Sequence, residues 1–127
     1  MARMRVEFRG GGSITIQLRP EPTPTIEALL TAVPFSSVAN TWGDEVYFNA
    51  PFHVERERDA RAEMEIGDVA FWPDGNAIAI FFGRTPASVD DKPRAYSPCN
   101  LIGILEGDIS DLKRVKSGDS LEIAHAR

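Results

Sequence analysis

Gly67-Asp-Val-Ala-Phe-Trp-Pro-Asp-Gly-Asn-Ala-Ile-Ala-Ile-Phe-Phe-Gly-Arg-Thr-Pro86 is the stretch whose reading decides the fold. Val69 to Trp72 and Ala77 to Phe82 are rich in β-branched and aromatic residues. Between them lies Pro73-Asp74-Gly75-Asn76, where Pro, Asp and Gly each suit turn geometry. The stretch therefore predicts a β-hairpin. It contains no paired acid and base, no cysteine cluster and no phosphate loop, so it describes the wall of a pocket and not a reaction.

Upstream, Arg5 to Arg9 and Ser13 to Leu18 alternate around Gly10-Gly11-Gly12, which predicts another hairpin, because residues without a Cβ turn the chain freely. Pro20, Pro22 and Pro24 bar regular pairing. Thr25 is then a candidate cap for a short helix in which Ile26, Leu29, Leu30 and Val33 recur at helical spacing, with Pro34 ending it. Phe35 to Asn40 and the alternating Glu45-Val46-Tyr47-Phe48 read as strands on either side of Thr41-Trp42-Gly43-Asp44. Phe52-His53-Val54 reads as a further short strand. Glu55 to Glu65 mixes charges of both signs and suits a solvated strand end and loop.

Downstream of the deciding stretch, Thr85 to Pro98 is a polar loop punctuated by proline, long enough to be either functional or pinned to the surface. Asn100 to Leu105 resumes strand character. Asp108 to Lys116 places Ile109, Leu112 and Val115 at intervals of three, acids leading and bases trailing, which predicts a second helix stopped by Gly118. Leu121 to Ala124 closes the chain as a strand. The succession lacks a βαβ rhythm, and the expected fold is mainly β: a closed, mostly antiparallel barrel of about eight strands with two short helices. Residues 1–127 are expected to form one domain, with no repeat or linker.

Composition narrows the function classes. The 127 residues are 43% hydrophobic and 26% charged, with 14 Lys and Arg against 19 Asp and Glu, a net charge of -5. Nucleic acid is an unexpected partner for such a chain, since phosphate binding needs clustered cations. No apolar run approaches the roughly 20 residues of a membrane span, and Met1 to Phe8 lacks the apolar segment of a secretory signal, so a cytoplasmic location without membrane association is expected. Cys99 is the sole cysteine, which excludes an intramolecular disulfide and a multi-cysteine metal site. His53 and His125 have no neighbouring Cys, Asp or His at a metal-ligand spacing, so neither a metal nor a cofactor is expected. No Gly-x-Ser-x-Gly elbow is present, and Gly10-Gly11-Gly12 lacks the Lys of a phosphate loop.

Trp42, Tyr47, Trp72 and Phe82 are the rings expected to surround a cavity, because aromatic rings offer flat apolar walls and several keep a polar edge. The competing reading is plain core packing. Asp44 and Glu45 form an acidic pair beside Trp42, but adjacent strand residues point to opposite faces, so solvent-facing charge is expected and a shared site is not.

The order hairpin, helix, strands, Phe-Phe-containing hairpin, long loop, strand, short helix and final strand resembles the cyclophilin fold. The similarity is greater to small bacterial and archaeal cyclophilin-like proteins of uncharacterised function. It rests on Pro34-Phe35, Asn40-Thr41-Trp42-Gly43, Glu45-Val46-Tyr47-Phe48, Glu65-Ile66-Gly67-Asp68-Val69 and Phe81-Phe82-Gly83-Arg84-Thr85-Pro86 occurring in this order. Asn100 to Ile109 and Gly118 to Ile123 match the closing part of the same pattern. The resemblance implies a proline pocket in which Phe82 corresponds to the pocket phenylalanine and Trp72 forms part of the same wall.

True cyclophilins carry a Phe-His-Arg run whose arginine donates hydrogen bonds to the substrate. Here Phe35 is followed by Ser36 and Ser37, and a neutral hydroxyl is a poor substitute for a guanidinium fork. Arg84 is the one candidate catalytic replacement, entering from another strand end. The expected function is thus a binding module for a small molecule or proline-containing peptide, without efficient isomerase activity. A slow peptidyl-prolyl isomerase and an interaction subunit using an exposed strand edge are the alternatives.

Overall fold

A computed structural model describes residues 2–126 of the protein. The deciding stretch folds as the expected hairpin. Its strands, Asp68–Trp72 and Ala77–Phe81, are joined by a 3-10 turn over Pro73–Gly75, and Asn76 closes the turn in the left-handed region at φ 51°. In chain order the ten strands are β1 (Arg3–Phe8), β2 (Ser13–Leu18), β3 (Phe35–Val38), β4 (Asn40–Thr41), β5 (Glu45–Asn49), β6 (Arg61–Glu63), β7 (Asp68–Trp72), β8 (Ala77–Phe81), β9 (Arg94–Glu106) and β10 (Ser120–His125).

Every pairing is antiparallel, and the main path runs β3-β10-β1-β2-β9-β7-β8-β5-β4, with β6 attached to β9. The sheet is open, which corrects the expected closed barrel of eight strands. Its end strands, β3 and β4, are separated along the chain only by Ala39, yet no ladder joins them. The reason lies in that residue's backbone. Ala39 donates its N–H to the Asp119 carbonyl and accepts from Gly118 N–H, while Asn40 and Thr41 pair with Tyr47 and Val46. The linking residue is thereby committed to the segment before β10, and the next two residues to β5.

Among the described residues one α-helix forms, α1 (Pro24–Ala32), and its cap is Thr23, not Thr25: the Thr23 hydroxyl accepts from Ile26 N–H at 3.1 Å. Proline at the first helical position loses nothing, since that N–H has no intrahelical partner. The expected second helix shrinks to a 3-10 segment at Ser110–Arg114 that buries Leu112. Phe52-His53-Val54 is not a strand. The two neighbours of β5 are already β4 and β8, and Phe52 instead stacks on Phe71 with ring centroids 5.0 Å apart.

The main core lies on one face of the sheet. In β1 and β2 every second residue is buried, which brings Met4, Val6, Phe8, Ile14, Ile16 and Leu18 together. Val46, Phe48, Val69, Phe71, Ile78 and Ile80 continue that face, and Ile26 and Leu29 of α1 add to it. Removing each such side chain from water contributes about 1.5–3 kcal/mol.

β7 and β8 are buried on both faces, apart from the half-buried Trp72. Their second face carries a separate cluster of Met64, Ala70, Ala79, Phe81, Ala95 and Cys99. The cover comes from β9. Asn100 to Ile104 pair with β7, but Arg94 and Cys99 pair with β6, and the ladder to β7 shifts register between Val69 and Ala70. The first half of β9, which the sequence presented as loop, therefore lies over the second face and creates the site.

Candidate functional site

Between that second face and the start of β9 lies a cavity of about 200 Å³ lined by Trp42, Glu45, Tyr47, Trp72, Ala95, Tyr96 and Cys99. The period-2 geometry of strands explains the selection. Val46 and Phe48 face the main core, so Glu45 and Tyr47 face the other side, opposite Phe81 and Ala79 of β8.

A pair of glycines fixes the cavity's edge. Trp42 N–H donates to the Glu45 carbonyl at 2.9 Å across a two-residue turn, in which Gly43 takes φ +61°. A Cβ on Gly43 would lie 2.8 Å from the Arg84 carbonyl, and one on Gly83 would lie 2.3 Å from Asp44 Oδ2. With both absent, Asp44 N–H donates to the Arg84 carbonyl at 2.8 Å and Phe82 N–H to the Asp44 carbonyl at 2.9 Å. The phrases Thr41-Trp42-Gly43-Asp44 and Phe82-Gly83-Arg84-Thr85 are thus two sides of one backbone contact that holds Trp42 and Glu45 in place.

Three of the four expected rings, Trp42, Tyr47 and Trp72, meet at this cavity. Phe82 does not line it and packs against the main core. A ring that sequence reasoning missed, Tyr96, stands at the mouth. It is 76% exposed and stands steeply against both tryptophans, with ring centroids 6.2 Å from Trp42 and 6.1 Å from Trp72. Trp72 Nε1 donates to Ser97 Oγ at 2.6 Å, and Ser97 in turn donates to Asp74 Oδ2 at 2.7 Å, so the indole is anchored from outside the cavity.

Glu45 is the other residue the sequence reading did not anticipate. Asp44 is exposed as expected, but Glu45 is only 7% exposed, and its Oε1 is buried without a hydrogen-bond partner. Desolvation raises its pKa from 4.5 to about 8, so the carboxyl is held largely protonated at neutral pH. Cys99, 1% exposed, shares the cavity, and burial, with Glu45 and Asp74 adding to it, pushes its thiol up to about 12.

Arg84 is exposed and outside the cavity, its guanidinium 4.0 Å from Asp91. Ser36 and Ser37 also lie elsewhere, on β3, where Ser37 Oγ donates to the Asn49 carbonyl at 2.8 Å. His53 is held at the surface between Asn76 and Glu55. Among the described residues no group of three or more His, Cys, Asp or Glu is arranged to hold a metal ion, and no helix is long and apolar enough to cross a membrane.

A family model described as cyclophilin-like matches residues 2–124. The chain belongs to the cyclophilin-like family. It is also similar to a solved structure, the solution structure of a hypothetical protein from Archaeoglobus fulgidus, at 39% identity and a TM-score of 0.84, covering 98% of this chain and 95% of that one. No protein of curated function matches it. Within the family fold, this chain's cavity carries aromatic rings and a carboxylic acid, and no Lys, Arg or His lines it.

Proposed function

We propose that this cyclophilin-like protein is a binding module that takes a small molecule, or the side chain of a peptide, into the cavity between Trp42, Tyr47, Trp72 and Tyr96. The observation that carries the reading is Glu45 Oε1, a buried polar atom without a partner at the wall of an aromatic cavity. Buried polar groups are ordinarily satisfied, and each exception calls for a reason. A ligand that hydrogen-bonds to Glu45 or pairs with its charge is such a reason.

Prolyl isomerisation is disfavoured by the same wall. A barrier of about 18–20 kcal/mol separates cis and trans peptide bonds. A fixed cationic donor of the cyclophilin kind is absent from the lining, and Arg84 is turned to solvent. The size also bears on the ligand: drug-sized sites occupy about 300–1,000 Å³, so this cavity suits a smaller guest.

The test is a thermal-shift screen of small charged and neutral organic compounds and Ala-Pro peptides, repeated on Trp42→Ala and Trp72→Ala. Binding that raises the melting temperature of the native protein and is lost in both variants is expected. A screen without a hit, with the two substitutions altering stability alone, overturns the reading. In a protease-coupled assay on an Ala-Pro peptide, the expected rate equals that of buffer.

A further inference from the structure

The cavity can be occupied by guests of three charge types, and its wall discriminates among them. An anion would meet the Glu45 carboxyl in a lining that holds no Lys, Arg or His. A neutral apolar guest would leave Glu45 Oε1 as unsatisfied as it is now. A cation would meet two favourable features at once: aromatic faces, whose quadrupoles attract positive charge, and a carboxyl able to ionise against it. A metal ion is a poor candidate, because hard divalent cations need about six oxygen ligands and the side chains lining this cavity include one carboxyl, one thiol and two phenols.

The rings have an arrangement that suits an organic cation. Tyr96 stands at 70° to Trp42 and 77° to Trp72, so each indole meets the phenol ring at a steep angle, and Tyr47 adds another wall from β5. The titratable groups facing Glu45 are Tyr47 on its own strand and Tyr96 and Cys99 on β9; the paired position on β8 is the apolar Phe81. From outside the lining, Asp74, beyond Trp72 and Ser97, adds negative charge and Arg56 adds positive charge, and both act on the Cys99 thiol.

We propose that the cavity is a site for a small organic ammonium cation, held by Trp42, Tyr47, Trp72 and Tyr96, with Glu45 giving up its proton to become the counter-ion as the ligand enters. This inference rests on the binding reading above and specifies its ligand class. The proton leaves for solvent, so charge is conserved inside the cavity: a neutral acid is exchanged for a carboxylate and ammonium pair.

The experiment uses tetramethylammonium, whose charge is independent of pH, and tert-butyl alcohol, a neutral molecule of similar shape. Binding is followed by tryptophan fluorescence and by calorimetry in buffers of different ionisation enthalpy. The expected result is tetramethylammonium binding with release of close to one proton at pH 7, and affinity rising about a hundredfold from pH 6 to pH 9 as the carboxyl with its pKa of about 8 ionises. Glu45→Gln, which keeps the shape, should weaken binding about thirtyfold or more at pH 9. Tyr96→Ala, at an exposed position that leaves the core intact, should weaken it about threefold or more.

Equal binding of the alcohol, absence of proton release, or unaltered affinity in Glu45→Gln overturns the cation and leaves a neutral-ligand site standing. If neither probe binds, the cation inference falls, and the wider screen decides separately whether the cavity binds anything. Near-ultraviolet circular dichroism of each variant establishes that a loss of affinity is not a loss of fold.

Discussion

Glu45→Gln should stabilise the protein increasingly as the pH rises. In the unfolded chain this carboxyl titrates near 4.5 and in the native state near 8. Between those values the native protein retains a proton that the unfolded chain has released, so wild-type stability falls with rising pH, most steeply across this window, and the loss is complete above pH 8. From the two pKa values, the Glu45 contribution becomes less favourable by about 4 kcal/mol between pH 5 and pH 9. Glutamine has nearly the same volume and does not titrate, so the variant lacks this slope. Urea denaturation followed by tryptophan fluorescence at a series of pH values gives the comparison directly. The two proteins should be within about 1 kcal/mol of each other at pH 5, with the variant ahead by about 4 kcal/mol at pH 9. A stability difference that does not change with pH refutes the burial of an unpaired carboxyl.

Three more substitutions or modifications follow from the geometry. Asn100 is fully buried, donating to Thr25 Oγ1 and the Glu55 carbonyl and accepting from Glu57 N–H, so Asn100→Ala should cost about 3 kcal/mol by leaving these groups unpaired, read as a lower denaturation midpoint. Gly43→Ala places a Cβ 2.8 Å from the Arg84 carbonyl at φ +61° and should cost about 1–3 kcal/mol, with the Trp42 emission shifting as its turn moves. Cys99, with its thiol raised from 9.0 to about 12, should react with a disulfide reagent at pH 8 about a thousandfold more slowly in the native protein than when unfolded. Rapid native-state labelling, read by absorbance, would contradict its burial.

Much of the sheet was legible because its signals are local. Alternation in β1 and β2 marks one buried face, and the turn chemistry of Pro73 to Asn76 fixes the hairpin of β7 and β8. Closure was not legible, because it depends on whether Ala39 hydrogen-bonds toward β10 or across to the other end strand, and nothing in an alanine specifies that. The cavity was half legible. Trp42, Tyr47 and Trp72 stand out by residue type, but Glu45 looks solvent-facing in any local window, since its cover is Arg94 to Cys99, some fifty residues later.

A signal for that cover was present. Val69-Ala70-Phe71 and Ala77 to Phe81 are apolar on both faces, a pattern expected of strands covered on both sides. It requires something to lie over the second face, and hence over Glu45 and Tyr47 on the adjoining strand. Phe82 was misplaced for a related reason. Beyond the end of β8 the chain turns to meet Asp44, and the ring falls toward the main core while Phe81 takes the second face.

The central claim is that the cavity beside Glu45 receives an organic cation, and the most direct measurement is a nitrogen-edited NMR titration with tetramethylammonium at pH 9, observing the indole N–H signals of Trp42 and Trp72. The account predicts that both signals shift saturably with one dissociation constant, and that Glu45→Gln raises that constant about thirtyfold or more. Indole signals that stay fixed while the ligand is raised to saturating excess, or that respond alike in the native protein and in Glu45→Gln, would contradict it.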